Sequence, residues 1–226
     1  MADLAYAKYW QRKQLLQTCP HFPRRRWWPT DGLCEIERTY YEVIAGKASL
    51  LDVGAGDLRM MRKFQSAGFR GEYHTQDIGG EYAHTYRDLD EVQRTYDAIV
   101  CFDLIEHLPL GDGLSLIHKL LSLLNSGGVL LLQTPNGRCI RSAYGTDMTH
   151  LHLYNISDLW AYVRAEGYEA TGYRVPFSQP TSNPIVRLKQ AISAYLITRL
   201  IGADYADNIA LIARKPFDHE SHEPHE

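Results

Sequence analysis

The sequence predicts an α/β chain wound on both sides of a parallel sheet. Three observations predict it. An apolar run, Ser49 to Val53, ends in two glycines one residue apart; a second run, Tyr96 to Phe102, empties into Asp103-Leu104-Ile105-Glu106-His107; a third, Val129 to Gln133, leads to Thr134-Pro135-Asn136. Segments with helical spacing of apolar residues separate these runs. That alternation buries each strand between helices and brings the strand ends to one edge of the sheet.

The first run carries the strongest local signal, Leu50-Leu51-Asp52-Val53-Gly54-Ala55-Gly56-Asp57, followed by a helix from Leu58 to Phe64. Strand, tight turn and helix start open a nucleotide-binding βαβ unit. Glycines let a ligand approach the backbone, and the first helical turn offers unpaired N–H groups. A dinucleotide fingerprint would need a third glycine where the chain has Arg59, and the Gly-Lys-Ser/Thr of a P-loop is absent.

Composition narrows the function classes. At 226 residues and 45% hydrophobic content the chain can bury one core, and a net charge of −3 argues against a general nucleic-acid binder. Cys19, Cys34, Cys101 and Cys139 form no C-x-x-C pair, so neither a zinc knuckle nor a disulfide framework is suggested, and a cytoplasmic location fits. No apolar run is long enough to span a membrane, and there is no signal pattern at the N-terminus. The His/Glu/Pro-rich end, within residues 217–226, reads as a solvated, disordered tail.

Taken in order, residues 1–48 read as an N-terminal helical cap. Leu4, Tyr6, Tyr9, Trp10, Leu15 and Leu16 give it an aromatic-rich face, and Ile36, Tyr40, Val43 and Ile44 mark its second helix. Between them, Arg24-Arg25-Arg26-Trp27-Trp28 has the composition of a base-stacking patch, but docking of the aromatics onto the domain is the plainer use. Residues 49–216 form the main domain. After the glycine turn, Met60, Met61 and Phe64 face inward on a helix that Gly68 ends, and Glu72 to Gln76 is a second strand closing on Asp77. In a doubly wound fold an acid at that position binds ribose hydroxyls. Leu114 to Leu124 is an amphipathic helix, Ser157 to Gly167 another with Ser157 as N-cap and Gly167 past its end. Tyr168 to Val175 and Asn208 to Lys215 are the last strands. The helix between them, Asn183 to Leu200, has an apolar face expected to pack on the domain, with contact to a membrane surface as the other use.

Several of these stretches together resemble the class I S-adenosylmethionine-dependent methyltransferases, over about residues 49 to 170. Asp52, Gly54 and Gly56 match the family's Asp/Glu-x-Gly-x-Gly-x-Gly motif, with Leu58 where its last glycine usually stands. The run through Ile99, Val100 and then Ile105-Glu106-His107-Leu108 matches the fourth-strand motif. Leu124-Asn125-Ser126-Gly127-Gly128 through Thr134-Pro135-Asn136 matches the L-K-P-G-G…T-P-N signature. The resemblance implies a Rossmann-like, seven-stranded sheet and S-adenosyl-L-methionine as cofactor, with S-adenosyl-L-homocysteine as product. It also implies donor contacts: Asp52, Gly54, Ala55 and Gly56 at the methionine end, Asp77 and Ile78 at the ribose, and Asp88 and Leu89 with Phe102 around adenine, Asp103 lying beside them. Asp90 is close enough to compete with Asp88.

The resemblance further implies methyl transfer to a small-molecule acceptor, by the pattern of quinone-biosynthesis O-methyltransferases. A hydroxyl acceptor must lose its proton, and a histidine suits that task near neutral pH. His107 and His150 are the candidate catalytic residues, with His152 as a third. Asp103, Glu106 and His107 with His150 or His152 also resemble the metal-binding arrangement of small-RNA 2′-O-methyltransferases, which keeps a metal-dependent RNA enzyme open beside the metal-free reading. A methyltransferase-like domain serving as a scaffold is the non-enzymatic alternative. The Asn/Asp-Pro-Pro-Tyr motif of DNA base-amino methyltransferases is absent.

Overall fold

The computed structural model describes residues 4, 6–139 and 147–217. The tail beyond Phe217 lies outside the described residues. In chain order the elements are α1 (Tyr9–Gln17), α2 (Glu35–Ile44), β1 (Ser49–Val53), α3 (Arg59–Ser66), β2 (Glu72–Gln76), β3 (Tyr96–Phe102), α4 (Leu110–Ser122), β4 (Leu124–Pro135), α5 (Ile156–Ala165), β5 (Glu169–Val175), α6 (Pro184–Leu196) and β6 (Asn208–Arg214). The sheet runs β2-β1-β3-β4-β6-β5. The first four strands are parallel, and β6 is antiparallel to both β4 and β5.

Among the described residues the sheet has six strands, not seven. Between β2 and β3, where the seventh strand implied by the resemblance would lie, there is one parallel bridge between Gln76 and Tyr86. The intervening Asp77 to Asp90 has two consecutive glycines and no apolar run, so it offers a pleated edge little to bury.

Two apolar cores flank the sheet. Leu51, Ile99, Leu130 and Leu132 meet α4 and α5 on one face; Leu50, Val100, Val129 and Leu131 meet α2 and α3 on the other. Glu37, buried in α2, accepts both the Cys34 backbone N–H at 2.9 Å and the Lys63 ammonium at 2.8 and 2.9 Å, which fastens α2 to α3.

The basic-aromatic segment before α2 serves the sheet. Arg24 and Trp27 bridge to Arg174 and Phe177, so this stretch runs parallel beside β5 and covers its open edge. The Trp27 and Phe177 rings lie 4.7 Å apart. Docking is thus the use the structure gives to these aromatics.

Two helical expectations need correction. The N-cap of α5 is Asn155, whose side chain accepts the Asp158 N–H at 3.0 Å, and Ser157 lies inside the helix. Gly167 does end it, at φ 93°. Helix α6 does not bury its apolar face on the domain. Ala194 is its one buried residue, while Ile185, Leu188, Ile192 and Tyr195 are exposed at helical spacing. Its opposite side, through Arg187, Gln190, Ala191 and Ala194, faces a groove of the protein. Among the described residues no helix is long and apolar enough to cross a membrane.

Candidate functional site

The parallel strands β1, β2, β3 and β4 all end at one rim, where open α/β sheets bind ligands. The turn after β1 is left-handed three times, at Gly54 (φ 72°), Gly56 (φ 48°) and Leu58 (φ 62°). Gly54 must be glycine for two reasons. Its φ disfavours a side chain, and a Cβ there would stand 3.0 Å from Leu104 Cδ2. At Gly56 a Cβ would meet nothing within 4 Å, so the loop faces open space at that point. Leu58 accepts the conformation that the usual glycine would take more easily.

Asp77 braces this turn. Its Oδ2 accepts the Gly56 N–H at 2.8 Å and its Oδ1 accepts the Gly79 N–H at 2.7 Å. Gln76 contributes its carbonyl, which accepts the N–H groups of Gly54 and Ala55 at 2.9 and 3.1 Å. Both Asp77 oxygens retain lone pairs for hydroxyl protons from a ligand. Ile78, next in the chain, is almost fully exposed. Asp88 caps the short turn Leu89–Glu91, its Oδ1 accepting the Asp90 N–H at 2.8 Å. Asp90 is exposed and paired with Lys119, which separates the two acids that the sequence left competing.

Asp52 is buried at the end of β1 and accepts the Tyr73 hydroxyl at 2.7 Å. Burial pushes its pKa up from 3.8 to about 7, although the Tyr73 hydrogen bond pulls the other way. Asp103 behaves alike. The residue is exposed at the rim, but desolvation of its carboxylate first, then the neighbouring Glu106 carboxylate, raise it to about 7. Its left-handed backbone (φ 50°) turns the carboxylate toward Gln133 Nε2 at 3.2 Å and Asn208 Nδ2 at 3.2 Å. Gln133 in turn accepts the Tyr40 hydroxyl at 3.0 Å, and the Tyr40 ring stacks on Phe102 at 4.8 Å. Asp52 and Asp103, both shifted toward neutrality, are acids at this rim that a cationic ligand would favour.

The histidines gather beside this rim. The backbone carbonyl of Glu106 accepts the N–H groups of Leu151 and His152 at 2.8 and 3.1 Å, which draws the loop after β4 onto the turn Ile105–His107. His107 and His150 then lie with ring centroids 5.0 Å apart. His107 Nδ1 is 2.9 Å from the Thr149 hydroxyl, which donates to Asp147 at 2.6 Å. That chain favours the tautomer with hydrogen on Nδ1, leaving Nε2 as an acceptor. His152 is set apart, packed edge-on against Tyr154 at 4.8 Å, and burial lowers its pKa.

Glu106, His107 and His150 also bring one ligand atom each to within 4.8 Å of the others. Asp103 does not join them, because its carboxylate is turned to Gln133 and Asn208. The set that resembled a metal site, Asp103, Glu106 and His107 with His150 or His152, is therefore divided. Glu106 is buried, accepts the Thr134 hydroxyl at 2.9 Å, and has its pKa raised by that burial.

Sequence reasoning missed Tyr73, Gln133, Asn208, Thr134 and Thr149. Each supports a functional carboxylate or imidazole from a different strand or loop. Only Thr134, inside the Thr-Pro-Asn stretch, and Thr149, beside His150, carried a signal in the chain.

Three comparisons bear on this geometry. No curated protein matches the sequence. Among solved structures the chain is similar to an S-adenosylmethionine-dependent methyltransferase from Archaeoglobus fulgidus (TM-score 0.59, 15% identity, 95% of this chain and 100% of that one). It is similar to the plantazolicin methyltransferase BpumL in complex with S-adenosylhomocysteine (0.50, 15%, 78% and 80%). It is also similar to magnesium protoporphyrin IX methyltransferase from Synechocystis PCC 6803 with the same bound product (0.51, 14%, 80% and 82%). At these identities the likeness shows the fold. A family model described as "Methyltransferase domain" matches residues 30–172, well over half of the chain. With the glycine turn, the Asp77 brace and the strand order in place, the chain belongs to the class I S-adenosylmethionine-dependent methyltransferase family, whose cofactor is S-adenosylmethionine.

Proposed function

We propose that the protein is a methyltransferase that uses S-adenosylmethionine to methylate a hydroxyl group on a small molecule. The observation that carries this reading is the Asp77 carboxylate braced on Gly56, beside an open glycine turn and the buried Asp52. When bound, S-adenosylmethionine supplies an electrophilic methyl group on a sulfonium. The chain's own residues do the rest. Asp52 with Gly54, Ala55 and Gly56 holds the ammonium-bearing end; Asp77 and Ile78 take the ribose; Asp88, Leu89 and Phe102 frame the adenine; Asp103 faces the positive charge. His107, oriented by Thr149, accepts the acceptor's hydroxyl proton at Nε2, and His150 lies beside it. Residues 1–48 and the Pro176–Gly202 insertion flank the acceptor side of a main domain at 49–216. Free cysteines throughout the described residues accord with a cytoplasmic location.

A second reading has one specific observation behind it. Glu106, His107 and His150 present one oxygen and two nitrogen donors at mutual distances a divalent ion can bridge. Such an ion would lower the acceptor's hydroxyl pKa directly, with the histidines as ligands rather than bases. An RNA 2′-hydroxyl is one such acceptor. The chain's net negative charge and the docking of Trp27 on Phe177 favour a small acceptor over RNA.

The test is calorimetric titration of S-adenosylmethionine and S-adenosylhomocysteine into wild-type protein and Asp77→Ala. Binding that weakens at least about tenfold in the variant supports the donor site. Folded wild-type protein that binds neither compound overturns the enzyme reading, and the scaffold then stands.

A further inference from the structure

A groove of about 870 Å³ runs between α6 and the segment that lines the β5 edge. Its size is that of a small-molecule pocket. Four cationic side chains line it: Arg24, Arg26, Arg187 and Lys189. This is a local excess in a chain whose net charge is −3.

The groove's two acids, Glu35 and Asp207, are outnumbered by these cations, and each accepts a backbone N–H. Glu35 Oε2 accepts the backbone N–H of Arg26 at 3.2 Å, and Asp207 Oδ2 accepts the backbone N–H of Phe177 at 2.7 Å. The Arg24 guanidinium lies 4.3 Å over the Tyr205 ring, which fixes its position. Burial first, then the Arg174 cation, lower its pKa, with Asp204 opposing and Arg26 adding to the fall. Phe177, Pro176 and Ala194 add apolar wall.

The groove also adjoins the donor rim. Asp207 borders it, and the Asp207 carbonyl accepts the Asn136 N–H at 2.9 Å. The next residue, Asn208, donates to Asp103 at 3.2 Å. The groove's border at Asp207 is thus one residue from the side chain that holds Asp103 at the donor rim. Helix α6 closes over this space while contributing mainly small or polar side chains to it, so it roofs the groove without filling it.

We propose that this groove seats the methyl acceptor and that the acceptor is an anion, its carboxylate or phosphate group paired with Arg26 and Arg187. A guanidinium fork suits either group by bidentate hydrogen bonding. The assignment of the anion to the acceptor rests on the methyltransferase reading above; the anion site itself does not.

The test uses benzoate, phenyl phosphate and the neutral benzamide as probes, titrated calorimetrically into the full chain saturated with S-adenosylhomocysteine. At least one anionic probe is expected to bind and benzamide is not, and which anion binds tells carboxylate from phosphate. Arg26→Ala and Arg187→Ala are each expected to weaken the anion about tenfold or more while the melting temperature stays near wild type. Benzamide binding as tightly as benzoate, unchanged anion affinity in both variants, or no binding of either anion would overturn the site. Repeating the titrations without S-adenosylhomocysteine separates the two claims. Anion binding in a protein that fails to bind that product would leave the groove standing and sink the methyltransferase reading.

Discussion

The hydroxyl of Tyr73 on β2 stands 2.7 Å from the Asp52 carboxylate at the end of β1. This one hydrogen bond is set against complete burial, and burial wins, leaving Asp52 with a pKa near 7.

The sign of the resulting pH dependence follows. Because the folded pKa lies above the unfolded value of 3.8, the stabilising contribution is complete below 3.8 and lost as pH rises through about 7. Asp52→Asn, whose amide oxygen still accepts from Tyr73, is therefore expected to melt above wild type near ~pH 8, the gap closing toward ~pH 4. Donor binding should run the other way. Affinity for cationic S-adenosylmethionine rises with pH as Asp52 and Asp103 ionise, and Asp52→Asn flattens part of that rise. Differential scanning calorimetry and binding titrations across pH check both; parallel profiles for the two proteins would refute the assignment.

Leu58 gives a prediction about the glycine turn. A side chain in the left-handed region costs roughly 1–2 kcal/mol, most for β-branched residues. Leu58→Gly is expected to be tolerated, with stability within about 1 kcal/mol of wild type, as relief of strain offsets the lost side chain. Leu58→Val is expected to lose about 1–2 kcal/mol in urea unfolding. Equal losses in the two variants would show that the side chain's packing matters more than its backbone.

Glu37 and Lys63 predict a stability effect remote from the site. Their ion pair is buried, and Glu37 also holds the Cys34 N–H. Lys63→Met leaves a buried carboxylate without its partner and is expected to cost about 3–5 kcal/mol. Replacing both residues, Glu37→Gln with Lys63→Met, should recover part of that loss. A single variant as stable as wild type in denaturant titration would contradict the clamp.

The divided histidine cluster separates the two catalytic readings. If His107 works as a base, activity on the identified acceptor survives chelation and is lost in His107→Asn. If the cluster holds an ion, Zn²⁺ or Mn²⁺ titrates into wild-type protein with one site, and His150→Ala loses it. His107→Asn and Glu106→Gln should lose it as well. Retained metal binding in all three variants would place the ion elsewhere.

The strands at the donor rim were legible because each is a contiguous apolar run with a turn after it. Tyr96 to Phe102 and Glu72 to Gln76 fall where the spacing put them. Strand β4 is longer than its apolar centre, since Leu124 already pairs with Tyr96 before a register shift at Ala98. The missing strand was a family expectation that the local composition did not support. In the site, Asp77 and Asp103 were visible as acids at strand ends, while Tyr73 and Asn208 were not. Their partners lie 21 and 105 residues away, and no local pattern encodes such a contact. Helix α6 misled because an apolar stripe normally faces a core, and here the small and basic side faces inward.

The place of β6 between β4 and β5 has a consequence for the order in which the molecule assembles. During synthesis, residues 49–135 can consolidate as local parallel units before the rest of the chain emerges. The β5 segment cannot join that sheet until residues 208–214 arrive and fill the gap, although residues 24–27 already wait for its far edge. A nascent or truncated chain ending before Asn208 therefore exposes one unpaired side of β4, a long apolar edge with the character of an aggregation template. The last strand among the described residues acts as the seal of the sheet.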